Sequence, residues 1–154
     1  GPRESGRIEV TEGDLRQLEV AWTAQWRRPP TPEEMRIGYE DWTERARTFL
    51  RERELVSFPA GEECAVVPSP PFQRPVLAVA SYMQPPPFSD RMLGHFFVPY
   101  PPDGASEEEI QKRLASNAYP GIPTTSVHEA YPGHHWHLVM SKANPSSRVI
   151  PRSK

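Results

Sequence analysis

The sequence predicts an α+β fold that is mainly helical, in which helices flank a small, proline-rich sheet region. Apolar residues recur at helical spacing before residue 55, and helix signals return after residue 105. Between them lie most of the proline runs, in a chain with 20 prolines among 154 residues. Because the average share of proline is roughly 5%, this excess favours short strands joined by rigid turns. We therefore divide a single domain into residues 1–55 (helical), 56–104 (short strands), 105–143 (helices) and 144–154 (loop tail).

Two helices are predicted in the first part of the chain. The first covers residues 12–27, and its apolar side chains at helical spacing are Leu15, Leu18, Trp22 and Trp26. The second has a strong start signal, because Thr31 can cap it, Pro32 suits its first turn and Glu34 can close a capping box. It continues to about Glu54, and its apolar stripe is formed by Met35, Tyr39, Trp42, Ala46 and Phe49. Such a stripe is typical of core packing.

Three strands are predicted in the proline-rich part, at residues 64–67, 76–81 and 95–98. Residues 76–80 (VLAVA) look like the clearest buried strand, because they form a continuous apolar run. The strand at 95–98 either packs within the sheet or forms an edge that holds an extended substrate by main-chain hydrogen bonds.

Helices follow the strand region. Ser106 and the acidic residues after it start one, with Ile110 and Leu114 facing inward, and another begins near Thr125 or Ser126.

Composition excludes several classes of protein. The formal net charge is -2 with both signs mixed, so nothing indicates a nucleic-acid groove. Cys64 is the single cysteine, which excludes an intrachain disulfide. No apolar run approaches the roughly 20 residues of a membrane span, and no signal peptide is visible. The sequence slightly favours the cytoplasm. It does not determine the compartment, because Gly1-Pro2 resembles a tag remnant that could replace a native signal.

Residues 128–137 (HEAYPGHHWH) carry the chemistry and hold four of the five histidines. In an ordinary HExxH helix two zinc-binding histidines lie one turn apart, and the Glu reaches the metal-bound water. Here Pro132 occupies the position four after His128, and the next histidines come six and seven residues after it. A straight helix would place them about 9–10.5 Å along its axis from His128. Two nitrogens on one tetrahedral zinc lie only about 3.4 Å apart, so a straight helix cannot supply both ligands.

Pro132 and Gly133 offer a way around this difficulty. Proline cannot donate to the carbonyl of His128 and clashes with it, so the helix must kink or bulge, and glycine makes that distortion cheap. If residues 130–133 loop out, His134 takes the place of the second ligand. We therefore predict His128 and His134 as metal ligands and Glu129 as general base, with His135 in reserve. The competing interpretation is an exposed polar patch after a helix end.

A family resemblance rests on this stretch. Residues 125–135 (TSVHEAYPGHH) resemble the signature of a bacterial family known as domain of unknown function 885, which is grouped with the gluzincin-type zinc metallopeptidases. Weaker similarity extends over roughly residues 30–145, at segments 66–71, 82–86, 94–98 and 119–121. The resemblance implies a mostly helical, zincin-like metallopeptidase domain with a single zinc.

The resemblance also implies a third zinc ligand, a Glu from a downstream helix. No Asp or Glu follows Glu129 in this sequence, so the catalytic domain is expected to be incomplete. A missing C-terminal part of the domain, or a second chain, would supply that Glu. The chain alone is then expected to bind zinc weakly or not at all, to be inactive, and to expose apolar surface where the missing helices would pack.

Other polar residues are weaker candidates. His95 beside aromatic residues favours a structural role, and Glu62 and Glu63 favour a solvated turn over a carboxylate ligand. An oxyanion donor could be any of Tyr82, Tyr100 and Tyr119.

The sequence thus predicts a zinc-dependent hydrolase that cleaves peptide or related amide bonds by Glu129-assisted attack of zinc-bound water. Two alternatives stay open. One is a metal-free or inactive subunit for binding or assembly, and the other is a zinc hydrolase of a non-peptide amide or ester.

Overall fold

The structure is a computed structural model that describes residues 10–26 and 28–144. Its elements are α1 (Glu12–Trp26), α2 (Pro32–Glu52), β1 (Glu63–Pro68), β2 (Ser81–Met83), β3 (Leu93–Val98), α3 (Glu107–Ser116), α4 (Ile122–Glu129) and α5 (His134–Ala143). A 3-10 turn, Tyr119–Gly121, precedes α4. The predicted α+β class, mainly helical with a small sheet, is confirmed. The predicted loop tail after Asn144 and the side chains of Trp22 and Trp26 lie outside the described residues.

Helix α1 forms where the sequence predicted it, but its first two apolar positions are not buried. Leu15 and Leu18 are 57% and 63% exposed. Helical spacing alone therefore does not place these two side chains in the core.

Helix α2 begins at its predicted cap. The Thr31 side chain accepts a hydrogen bond from the backbone N–H of Glu34 at 3.1 Å. Its predicted apolar stripe is only partly inward, because Met35 and Tyr39 are buried whereas Trp42 and Phe49 are exposed. The buried positions of α2 are Met35, Tyr39, Thr43 and Leu50. Steps of four residues lead from Met35 to Tyr39 and on to Thr43, so a polar residue continues the inner face in place of Trp42.

The three strands form one sheet in the order β1-β3-β2. Strand β1 pairs parallel with β3, with Cys64 opposite Gly94, and β2 pairs antiparallel with β3, with Tyr82 opposite Phe96. The strand at residues 95–98 is therefore the central one. Of the two interpretations of this strand, packing within the sheet is confirmed, and the substrate-binding edge is wrong because neighbouring strands occupy both of its sides.

Residues 76–80, predicted as the clearest buried strand, do not form one. Val76 and Val79 are 78% and 65% exposed, and β2 begins only at Ser81. The backbone here makes turn bonds, such as Leu77 N–H to Gln73 O at 2.8 Å. The Arg113 guanidinium donates to the carbonyl of Leu77 at 3.2 Å. These contacts use backbone N–H and carbonyl groups that would pair with a neighbouring strand if the segment belonged to the sheet.

The main core lies between the sheet, α2, α3 and α4. Its buried residues are Met35, Tyr39, Ala80, Phe96, Val98, Leu114 and Ile122. Leu114 is inward as predicted, and Ile110 is half-buried against this cluster. Helix α4 packs along α2 and begins at Ile122, earlier than predicted, since Pro123 fits its first turn. Within the described part of the chain, no helix is long and apolar enough to cross a membrane.

Candidate metal and catalytic site

The helix that carries the histidine motif is broken where the sequence predicted. Helix α4 ends at Glu129 and α5 starts at His134, so residues 130–133 form a loop between them. The loop turns the chain tightly, because Trp136 N–H already donates to the carbonyl of Ala130 at 3.1 Å. The chain thus leaves one helix and enters the next within four residues.

Gly133 makes this turn possible through its lack of a side chain. A Cβ atom at this position would lie 1.8 Å from the carbonyl oxygen of His128 and 2.4 Å from that of Val127. The position therefore requires the space that a glycine leaves. The loop folds back directly onto the end of α4.

This geometry brings His128 and His134 together. Their Nε2 atoms are 3.1 Å apart, and their rings are nearly perpendicular, with centroids 4.7 Å apart. Both side chains are exposed. The separation is close to the roughly 3.4 Å between two nitrogens on one tetrahedral zinc. It also allows one ring to donate an N–H to the other.

Glu129 follows His128 directly and is half-buried. Burial raises the pKa of its carboxyl above the ordinary value, and the neighbouring His128 and His134 act in the opposite direction. A raised carboxyl pKa suits a group that must take up a proton near neutral pH.

Glu129 and His128 line a cavity of about 420 Å³ next to α2. Its inner wall includes Tyr39, whose hydroxyl donates to Asn117 Oδ1 at 3.0 Å. Burial raises the pKa of Tyr39 to about 12, so its hydroxyl keeps its proton at neutral pH. From the sequence, Tyr39 was interpreted only as part of a core stripe. The cavity beside Glu129 is therefore lined in part by neutral groups that can form hydrogen bonds.

His135, the reserve ligand, points into the interior. It is fully buried, with Nε2 2.9 Å from Glu62 Oε2 and Nδ1 2.7 Å from the Tyr82 hydroxyl. Both ring nitrogens are thus engaged with protein groups. Of the two adjacent histidines, His134 is the one that faces His128.

The environment of Glu62 differs from the one expected from the sequence. It was expected in a solvated turn, but it is buried and accepts hydrogen bonds from three side chains. The donors are Arg47 at 2.8 and 2.6 Å, Tyr131 at 2.6 Å and His135 at 2.9 Å.

Burial alone would raise the pKa of Glu62, but the bonds from His135, Tyr131 and Arg47 outweigh it and lower that pKa to about 2. Glu62 is therefore a carboxylate that can only accept, so His135 donates its Nε2–H. In the neutral imidazole Nδ1 then accepts from Tyr82.

Gly94 gives Tyr82 and His135 the room to meet. A Cβ atom on Gly94 would lie 2.1 Å from the Tyr82 hydroxyl oxygen and 2.6 Å from His135 Nδ1. A glycine within a central strand is the kind of sequence signal that marks such a close approach.

The remaining candidates lie elsewhere. His95 stacks on Phe97 with centroids 6.0 Å apart, and the hydroxyls of Tyr100 and Tyr119 donate to Glu33 and Glu34 at the start of α2. Glu63 is exposed. Among the described residues, no group of three or more His, Cys, Asp or Glu side chains is arranged to hold a metal ion.

The fold and site together define an α+β chain with a histidine pair across a broken helix. A family model described as "Bacterial protein of unknown function (DUF885)" matches residues 8–152, and the chain belongs to this family. No protein of curated function and no solved structure matches the chain.

The buried Glu62 should make the stability of the fold sensitive to acid. Its pKa falls from the ordinary 4.5 to about 2 in the folded state, so its stabilising contribution is complete above about pH 4.5 and is lost as the pH falls toward 2. The contribution is about 3 kcal/mol on this shift. Urea unfolding between pH 6 and pH 3 should show a falling free energy of unfolding for the wild type and a smaller fall for Glu62→Gln. Equal slopes for the two proteins would contradict this expectation.

Proposed function

We propose that this protein is a zinc-dependent hydrolase that cleaves peptide or related amide bonds. The observation that carries the proposal is the pair of Nε2 atoms 3.1 Å apart on His128 and His134, with the half-buried Glu129 next to the first of them. Two imidazoles that bind the metal, with a carboxylate beside the first that acts as general base, are the arrangement of zinc hydrolases with an HExxH motif. Residues 125–135 resemble the signature of the domain of unknown function 885 family, and the grouping of that family with gluzincin-type metallopeptidases supports the same assignment.

A third protein ligand is needed to complete such a centre, because catalytic zinc sites have three protein ligands and one open position. We assign it to a carboxylate outside the described residues. It would come from a downstream part of the domain or from a second chain. Both His128 and His134 are exposed, which leaves their free side open to such a group.

The chemistry assigned to this chain belongs mainly to Glu129. Zinc, when bound, would act as a Lewis acid that lowers the pKa of a water molecule and polarises the amide carbonyl. Glu129 would accept the proton of the attacking water while the new C–O bond forms. It would then pass that proton to the leaving amine as the C–N bond breaks, so the carboxylate is regenerated. The adjacent cavity with Tyr39 and Asn117 offers room for a substrate group beside Glu129.

Zinc binding tests the metal site directly. The chain of 154 residues alone should bind zinc weakly or not at all, and the chain together with a downstream segment or second chain that supplies the third ligand, called the extended protein below, should hold one zinc per molecule. His128→Ala and His134→Ala should each remove that zinc, while His137→Ala, a change in the same exposed cluster, should leave it bound. Elemental analysis and calorimetric titration measure both content and affinity. Loss of zinc in His135→Ala with retention in His134→Ala would contradict the ligand assignment.

A metal-free binding or assembly subunit is the second candidate. The observation that favours it is the exposed apolar surface on the described helices, which includes Leu15 and Leu18 on α1 and Phe49 on α2. Absence of zinc from the extended protein, combined with stable capture of a partner chain, would favour this function over hydrolysis. If zinc is present, a screen that compares peptides with other amides and esters separates a peptidase from a hydrolase of non-peptide substrates.

A further inference from the structure

We propose that the buried Glu62 carboxylate is the positioning residue of the candidate site. It fastens both ends of the break in the motif helix and thereby holds the His128 and His134 rings within reach of one metal ion. The inference that Glu62 positions the two rings is independent of the proposed function. The expected effect on metal affinity rests on the proposed function.

A single oxygen atom of Glu62 makes both attachments. Oε2 accepts from the Tyr131 hydroxyl at 2.6 Å and from His135 Nε2 at 2.9 Å. Tyr131 lies at the start of the loop, two residues after Glu129, and His135 lies directly after His134. Two points of the chain, one within the loop that joins the histidine pair and one just after it, are thus fixed to the same oxygen atom.

Glu62 is in turn fixed to the scaffold. Its other oxygen, Oε1, accepts from Arg47 Nε at 2.8 Å and from Arg47 Nη2 at 2.6 Å. This two-point contact fixes the position of Oε1, because the two donor nitrogens belong to one rigid, flat guanidinium. Arg47 belongs to α2, the 21-residue helix against which α4 packs. Through Arg47 and Glu62, the loop is therefore hydrogen-bonded to the longest described helix.

The far side of the His135 ring is also held. Tyr82 on β2 contacts Nδ1 at 2.7 Å, and Gly94 on β3 leaves the space in which the two side chains meet. With both nitrogens bonded, the ring cannot rotate without breaking a buried hydrogen bond. His134 shares the first turn of α5 with this anchored residue, so its direction is set as well.

The buried Glu62 carboxylate has a position that suits a role beyond stability. Its desolvation offsets part of its attraction to the partly exposed Arg47, and apolar side chains of the same volume often stabilise a fold as well as such a pair does. The carboxylate lies where it orients the segment between two predicted ligands. Removing a group that orients metal ligands through hydrogen bonds typically changes metal affinity or activity about 10- to 100-fold.

Two variants with matched controls test the inference. Glu62→Gln removes the charge and one of the two acceptor oxygens, so the side chain can no longer bind Arg47, Tyr131 and His135 together as the carboxylate does. Tyr131→Phe removes only the upstream attachment. The controls are Glu63→Gln, which changes the exposed neighbour, and Tyr100→Phe, whose hydroxyl contacts Glu33 away from the site. The first measurement is the nuclear Overhauser contact between the His128 and His134 ring protons in metal-free protein. The second is cobalt and zinc affinity of the extended protein.

We expect folded Glu62→Gln to lose the ring-to-ring contact and to bind metal about 10- to 100-fold more weakly, with a smaller change of the same kind in Tyr131→Phe and none in the controls. Wild-type ring contact in a folded Glu62→Gln protein would overturn the inference. If Glu62→Gln does not fold, Tyr131→Phe decides by the same two readouts. If the wild type binds no zinc, the proposed function fails, and the ring contact in metal-free protein still decides whether Glu62 positions the pair.

Discussion

Replacing Glu129 by glutamine is expected to lower hydrolysis about 100- to 10,000-fold while zinc stays bound. The amide keeps the shape of the side chain but cannot accept a proton from water at neutral pH. Glu129 is half-buried beside the two-histidine pair, so bulk water does not readily substitute for it as a base. Turnover of a peptide library by the extended protein, together with its zinc content from elemental analysis, measures both quantities on one sample.

Two comparisons make this result specific. His128→Ala should remove zinc and activity together, because a metal ligand is lost, whereas Glu63→Gln should change neither, since Glu63 is exposed outside the site. Full activity in Glu129→Gln would show that the general-base mechanism is wrong. Loss of zinc in that variant would show that Glu129 is itself a ligand.

The local events along the chain could be predicted because their causes lie within a few residues. Pro132 removes a donor four residues after His128, and Gly133 permits the close return of the chain, so the break in the helix follows from sequence alone. The start of α2 at Thr31 follows in the same way from a capping side chain. Once the break was predicted, the choice of His134 over His135 followed from the number of residues looped out, and His134 is the ring that faces His128.

Other features could not be predicted because their causes are distant in sequence. Glu62 reads as a turn residue after Gly61, and its burial depends on Arg47, Tyr131 and His135, the last of which is 73 residues away. The apolar run at 76–80 resembles a strand, but Arg113 from α3 binds its backbone and keeps it out of the sheet. Neither the partners of Glu62 nor the contact of Arg113 with the 76–80 backbone produces a periodic pattern in the sequence.

The position of β3 in the centre of the sheet could not be predicted for a related reason. A strand of alternating or continuous apolar residues does not specify how many neighbours it has, and the parallel pairing with β1 joins segments about 30 residues apart. Gly94 was the available clue, since a glycine opposite Cys64 in a buried strand indicates that other groups approach closely.

Replacing Gly133 by alanine should have the largest effect of any single methyl group added to this site. The new Cβ atom would lie 1.8 Å from the His128 carbonyl oxygen and 2.4 Å from its carbonyl carbon, and both are backbone atoms that cannot rotate away. Either the loop or the end of α4 must therefore move. The expected loss is about 3 kcal/mol in the free energy of unfolding, at the upper end of overpacking penalties. For a chain of this length that corresponds to a fall in melting temperature of roughly 6–12 °C.

Gly121→Ala is the matched control for this variant. Gly121 stands at the other end of α4, a Cβ atom there would meet nothing within 4 Å, and its φ of -83° suits alanine. Thermal unfolding and zinc affinity should be unchanged in the control, whereas Gly133→Ala should lose both stability and zinc, because displacing the loop separates His134 from His128. A Gly133→Ala protein with wild-type stability and zinc affinity would mean that the chain does not pass this close to His128. The two-ligand geometry, which depends on that close return, would then be wrong as well.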